Sequence, residues 1–311
     1  MNDIRRKLLF LVNAHAGKGA IKNHMLPILD VFVRAGYEPT VCLSQRSGEL
    51  PGVAEKKARD YDLVVCSGGD GTLNEVVNGL MRLEDPPALG YIPAGSTNDF
   101  ATSLCLPKNM EKAAEVAVSG TDIGVDVGRF GEKDYFTYVA AFGAFTDVPY
   151  VTPQEYKNVL GGLAYLLEGA QRLSEIKPYH IRMEYDDGVI DDEILVGLVS
   201  NSSSVAGLPL GKFIDVSMND GLLEVTMVRK PPLLIELTKV INGLLMGELD
   251  PDLIYSFKTK HLKMTCDEPI PWTLDGEYGG TRTEVEIENI NKGLRVRVPT
   301  EQLLPAKPKK H

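Results

Sequence analysis

The stretch Ser67-Gly68-Gly69-Asp70-Gly71-Thr72-Leu73-Asn74-Glu75 limits what this chain can fold into more than any other. It follows the short run Asp62–Cys66, apolar after its first residue, which reads as a buried parallel strand. Beyond it Leu73, Val76, Val77 and Leu80 recur at i, i+3, i+4 and i+7, one apolar stripe of a helix. Thr72 and Glu75, three positions apart, read as a capping box at that helix's start. Glycines between a strand end and a helix N-terminus let main-chain amides close on an anion with no Cβ in the way. The competing reading, a plain turn from strand to helix, leaves the conformational cost of three glycines unexplained.

The preceding and following segments repeat the plan. Lys7–Val12 reads as a strand ending in the loop Asn13–Gly19, with a helix from about Ile21 to Arg34 and Gly36 as its stop. Glu38–Leu43 is a second strand, followed by the loop Ser44–Gly48 and a charged helix over residues 52–60. Leu89–Ile92 is a fourth strand, leading through Pro93–Asp99 into a short helix with Phe100, Ala101 and Leu104. Alternating β and α segments predict a parallel sheet with helices on both faces, a doubly wound α/β domain. In such sheets ligands bind beyond the carboxyl ends of the strands, where all four loops would fall. Neither G-x-x-x-x-G-K-[ST] nor G-x-G-x-x-G occurs at these loops, so a P-loop and a dinucleotide fingerprint are both absent.

From about Asp126 the pattern changes to short runs rich in β-formers at 134–139, 179–185, 194–200, 222–229, 254–264, 282–288 and 294–298. Ile181, Met183 and Tyr185 alternate with His180, Arg182 and Glu184, and Asp186-Asp187-Gly188 is a hairpin signal. This predicts a mostly antiparallel β domain with helices at about 154–176 and 232–246. The boundary falls at 125/126, and the size of 311 residues suits two domains. No apolar run approaches the roughly 18 residues that span a bilayer. Cys42, Cys66, Cys105 and Cys266 are scattered without a C-x-x-C pair and read as free thiols of a reducing cytoplasm. A net charge of −10 argues against a nucleic-acid partner or a broadly basic membrane face. The small basic clusters Arg5-Arg6-Lys7 and Lys307–His311 read as solvated ends, with contact to anionic lipid as the alternative.

Gly68-Gly69-Asp70-Gly71-Thr72-Leu73-Asn74, Gly95-Ser96-Thr97-Asn98-Asp99-Phe100 and Leu274-Asp275-Gly276-Glu277, in this order, resemble the bacterial diacylglycerol kinase and YegS-like lipid kinase family. The resemblance covers essentially the whole chain. It implies an N-terminal α/β nucleotide-binding domain, residues 1–125 with a return at about 299–311, and a C-terminal antiparallel β-sandwich, residues 126–298, carrying the lipid site. It places the active site in a cleft between them, with ATP and Mg²⁺ as cofactors.

Residue by residue, the resemblance puts the phosphate loop on Gly68, Gly69, Asp70, Gly71, Thr72, Leu73 and Asn74. Further nucleotide contacts fall on Asn13, Ser44, Ser96 and Thr97. It assigns the catalytic base to Asp275 or Glu277 and an active-site network position to Asp126. It also implies a structural magnesium at Asp220, with main-chain oxygens of Ser217 and Leu222. By their own pattern Asp275-Gly276 and Asp220-Gly221 read equally as turns. The chain departs from the family at Ala14, where proline follows the asparagine, at Ser44, where threonine is usual, and over Tyr138–Phe145.

Phosphoryl transfer rests on positioning and charge neutralisation. Asp70, Asp99, Asp275 and Glu277 sharing a cleft with polyphosphate would repel it, by about 4 kcal/mol per charge pair at ~4 Å and an effective dielectric of 20. A bridging Mg²⁺ resolves this and is expected to be essential. Tyr138–Phe145 and residues 202–211 are candidates for the acyl-chain contact, with core packing and a plain loop as their alternatives. The expected activity is transfer of the ATP γ-phosphate to a lipid hydroxyl, diacylglycerol first, at a membrane surface the chain visits transiently. A homodimer is compatible with this. An NAD kinase-like enzyme with a soluble acceptor and a silent nucleotide-binding regulator are the alternatives.

Overall fold

Leu8-Leu-Phe-Leu-Val12 contains no polar residue, and all five side chains are fully buried. A strand this uniformly apolar must be covered on both faces, and the computed structural model of the chain shows it inside a parallel sheet. The structure describes residues 6–143, 177–202, 204–205, 208–209, 217–231, 236, 239–240 and 250–300. The chain forms two units. Among the described residues the first takes 6–127 and 291–300, with Leu208, and the second takes 128–205 and 209–290.

In the first unit β1 (Arg6–Val12) pairs in parallel with β2 (Tyr37–Leu43) and β3 (Leu63–Gly68), and β3 with β4 (Ala88–Pro93). Strand order is β4-β3-β1-β2. The helices α1 (Ile21–Arg34), α2 (Leu50–Lys57), α3 (Asp70–Leu80), α4 (Asp99–Ser103) and α5 (Met110–Ser119) connect and cover the strands. On one face Phe10 meets Phe32 of α1 edge-on at 5.2 Å, beside Ala113, Ala114 and Ala117 of α5. Asn109, whose side chain accepts the Lys112 N–H, caps α5.

The second unit is antiparallel. β5 (Thr121–Phe130) enters it at residue 128 and pairs with β6 (Asp134–Phe136). β7 (Val139–Phe142) and β8 (Tyr179–Tyr185) follow, then β9 (Gly188–Ser200), the two-residue β10 (Ser204–Val205) and β11 (Leu208–Pro209), β12 (Leu223–Arg229), β13 (Ile254–Thr259), β14 (His261–Leu274) and β15 (Glu277–Val298). The first half of β9 pairs with β8 and its second half with β7. β14 does the same from the other side, so two long strands each pass from one neighbour to another. The core centres on Trp272, with Phe142 at 4.8 Å and Phe130 at 5.1 Å in edge-on contact. Asp186 and Asp187 form the expected two-residue hairpin loop, Tyr185 facing Gly188.

Three local expectations change. Residues 254–264 are two strands broken at Lys260, and 282–288 and 294–298 are one continuous strand. The tail of that strand lies in the first unit, where Val296 pairs in parallel with Leu89, so the chain returns there by Asn291 rather than 299. The run Asn289–Gly293, polar but for Ile290, with Asn291 and Lys292 exposed and Lys292 at φ +51°, interrupts the apolar alternation and hid the continuity. The helices expected at 154–176 and, apart from Glu236, Lys239 and Val240, at 232–246 lie outside the described residues, as do residues 144–145 and most of 202–211.

Candidate active site

The glycine loop after β3 and the loop after β4 meet through bare backbone. A Cβ on Gly95 would lie 2.6 Å from the Gly69 Cα, and one on Gly69 would lie 3.3 Å from the Gly95 Cα. At Gly95 a Cβ would force the two backbones apart, and at Gly69 it would press tightly on its neighbour. Ala94 N–H donates to the Gly68 carbonyl (2.8 Å), and the Tyr91 hydroxyl donates to the same oxygen (3.1 Å). Burial first, and then the charge of Asp70, raise the Tyr91 phenol well above its usual range, so it stays a donor.

α3 begins at Asp70, with Gly69 as its extended N-cap and, among the described residues, no side chain bonded there as a cap. The capping box is therefore corrected. Thr72 lies inside the first turn, and its hydroxyl accepts from the Asn13 carboxamide at 3.1 Å. The Glu75 carboxylate instead accepts from the N–H groups of Gly48 (2.8 Å) and Leu50 (3.2 Å) and from the Ser47 hydroxyl (3.2 Å). It caps α2 and ties the 44–48 loop to α3. The positive end of the α3 dipole thus faces the glycine loop with, among the described residues, no side-chain cap.

Asn13 has its carboxamide oxygen on the His15 N–H (3.0 Å) and its N–H on the Ser67 carbonyl (2.9 Å). Ser44 is buried, its N–H on the Val12 carbonyl, whereas Ser96 and Thr97 are exposed on the β4 loop. Asp70 accepts from the Asp99 N–H at 3.3 Å, so one carboxylate heads α3 and the other heads α4. Asn98 was missed in the sequence. At φ +54°, it exchanges two hydrogen bonds with Gly95, at 3.0 and 2.8 Å, and locks the second loop. Asparagine's tolerance of left-handed backbone was the available signal. Asp126, on β5, is buried, and its carboxylate accepts from the Lys292 N–H at 2.7 Å, holding a residue at φ +51°.

In the second unit Asp275 and Gly276 form the two-residue turn between β14 and β15, at φ +49° and +84°. The Asp275 side chain is almost fully buried. One carboxylate oxygen accepts from the Thr137 N–H (2.7 Å) and hydroxyl (2.8 Å), the other from the N–H groups of Tyr138 (2.9 Å) and Val139 (3.0 Å). Glu277, two residues on, is exposed, and among the described residues its carboxylate meets no hydrogen-bond or ion-pair partner. Ala140 and Phe142 of the Tyr138–Phe145 stretch belong to the core, and Tyr138, Val139 and Ala141 pack with Leu198 on the other face.

At the Asp220 turn one carboxylate oxygen accepts from the Leu222 N–H (3.0 Å) and the other from the Lys258 ammonium (3.1 Å). Lys258 also lies 3.3 Å from the buried Glu224 carboxylate, and the Ser217 hydroxyl donates to Asn219 at 3.0 Å. A hard divalent cation there needs carboxylate oxygens free for it. Those of Asp220 face N–H donors, and the residues do not fit the structural magnesium that the resemblance implies.

A parallel α/β unit whose glycine-built strand ends meet the N-terminus of α3, followed in the same chain by an antiparallel β unit, is the architecture that comparison with known proteins identifies with diacylglycerol kinases. The family model for the diacylglycerol kinase catalytic domain matches residues 7–130. The chain is 35% identical over 302 residues to a diacylglycerol kinase of Bacillus subtilis (strain 168), covering 96% of this chain and 98% of the relative. It is 33% identical over 301 residues to one of Staphylococcus carnosus (strain TM300), covering 95% and 96%. A crystal structure of a diacylglycerol kinase from Bacillus anthracis str. Sterne shares the fold at a TM-score of 0.75 and 23% identity, covering 96% of this chain and 98% of that one. The chain belongs to the diacylglycerol kinase family.

Proposed function

We propose that the chain transfers the γ-phosphoryl group of ATP to the free hydroxyl of diacylglycerol, giving phosphatidic acid and ADP. The observation that carries this reading is the contact of the two glycine loops at the uncapped N-terminus of α3, which suits a polyphosphate tail. The Ser96 and Thr97 hydroxyls lie exposed on the second of these loops and serve as further donors. Asn13, through Thr72, holds the first turn of α3 in register with the loop after β1.

Asp70 and Asp99 offer hard oxygen donors at the heads of two neighbouring helices, which fits Mg²⁺, and they are the residues that would hold it. When bound, it would neutralise charge between carboxylates and phosphate oxygens. Glu277 acts as the base and Asp275 does not. A carboxylate that already accepts four hydrogen bonds would have to surrender them to take a proton, whereas an exposed and unengaged one need not. The lipid hydroxyl oxygen forms the new bond to the γ-phosphorus, the bond to the β-phosphate oxygen breaks, ADP leaves, and the hydroxyl proton passes to Glu277.

A lipid acceptor calls for transient contact with a membrane surface. Among the described residues no helix is long and apolar enough to cross one. The test is incubation of the full chain with γ-labelled ATP and Mg²⁺, with diacylglycerol in detergent micelles in one arm and NAD in the other. Label in phosphatidic acid is expected, and excess chelator should abolish it. Label in a phosphorylated nucleotide alone, or in neither product, overturns the reading.

A further inference from the structure

The cross-strand partners Glu224 and Lys258 face each other on β12 and β13, next to the Asp220 turn. Glu224 is 1% exposed, and a carboxylate removed from water to that extent either takes a proton or is held beside a cation. Lys258 reaches both acids at once, at 3.1 Å from Asp220 and 3.3 Å from Glu224. Its side chain is itself only 26% exposed, so the ammonium sits within the corner. Asp220 turns its second oxygen to the Leu222 N–H, which leaves both oxygens occupied by donors from the chain.

We propose that the Lys258 ammonium takes the place of a structural divalent cation at this corner, and that the β unit therefore folds and keeps its stability without metal. This rests on the Asp220, Glu224 and Lys258 geometry and is independent of the acceptor assigned above. A tethered ammonium beside both acids offsets one of their two charges at no dependence on metal concentration, whereas a bound Mg²⁺ would make stability follow the free ion by mass action.

The chain has a single tryptophan, Trp272, fully buried in the β-unit core, so its fluorescence reports unfolding of that unit. Urea unfolding of the nucleotide-free full chain is compared in excess chelator and in excess Mg²⁺. The same midpoint in both is expected, together with no stoichiometric Mg²⁺ retained on equilibrium dialysis. A midpoint that falls on chelation and recovers with Mg²⁺, or one tightly held Mg²⁺ per nucleotide-free chain, overturns the proposal. Lys258→Met leaves the acids without their cation, and it is expected to lower the midpoint in chelator and to regain part of the loss when Mg²⁺ is added. An unchanged, magnesium-independent midpoint in that variant also overturns it. Should Lys258→Met fail to fold, the wild-type comparison still decides, and Lys258→Arg is expected to stay metal-independent.

Discussion

The glycine loops of the first unit and the Asp275 turn of the second solve opposite problems. At Gly69 and Gly95 the chain omits side chains so that two backbones touch and a helix end stays open. At Asp275 it supplies a side chain whose two oxygens satisfy three backbone N–H groups and a hydroxyl. The first arrangement keeps polar groups available to a ligand, and the second consumes them for the fold. The motif that carries both Asp275 and Glu277 thus holds one buried carboxylate engaged by the fold and one exposed carboxylate, and their spacing in the sequence does not say which is which.

The sharpest way to break this comparison is to exchange each acid for its amide. Glu277→Gln is expected to lower turnover by about 10²–10⁴-fold, the usual contribution of a general base, with the Trp272 urea midpoint unchanged. Asp275→Asn turns an amide N–H toward donors in a buried site and is expected to cost roughly 3 kcal/mol of β-unit stability in the same titration. If Asp275→Asn lowers turnover without loss of stability, the division of roles fails.

Gly95→Ala tests the other region. Its Cβ would meet Gly69 at 2.6 Å and the Asn98 carboxamide oxygen at 2.8 Å, so the loops must part. Overpacking of this kind costs about 1–3 kcal/mol, expected here as a raised KM for ATP with acceptor KM unaffected. Asn98→Ala removes the two bonds to Gly95 and places alanine in left-handed backbone. It is expected to cost about 1–2 kcal/mol, read as a smaller rise in the same KM.

The smallest effect concerns a carboxylate held by side chains. Asp192 is bonded by Tyr255 (2.8 Å) and Arg229 (2.7 Å). Burial works to raise its pKa, but these bonds and the Glu193 N–H outweigh it, and the net shift is downward from 3.8. A depressed carboxylate stabilises the fold at pH above its ordinary value, and that contribution is lost as pH falls below 3.8 through the lower folded value. Asp192→Asn removes that contribution, so it should lower the neutral urea midpoint slightly, flatten the acid limb of the Trp272 unfolding curve and leave the midpoint well below pH 3.8 nearly unaltered.

The parallel unit was largely legible because its signals are local. Apolar runs of five or six residues, a helical stripe and a glycine cluster each lie within a dozen positions, and β1, α1, β3 and α3 follow from them. The capping box misled because Thr72 and Glu75 have the right spacing, yet their partners are Asn13 and Gly48, 59 and 27 residues away. Asn98 was readable in principle from its tolerance of positive φ. Lys258 was not, since nothing near it announces Asp220 in the turn before β12, 38 residues away.

Composition and periodicity determined the two-part architecture, because strand burial, helix amphipathicity and glycine's missing Cβ act within a few residues; the kinase class came from the resemblance that three short motifs carry. Tertiary structure decided which of Asp275 and Glu277 is buried and hydrogen-bonded, what Thr72 and Glu75 bond to and which ammonium sits beside Asp220. Those outcomes depend on which hydrogen-bond donors distant strands bring to a carboxylate, and that is set only once the sheet has its register.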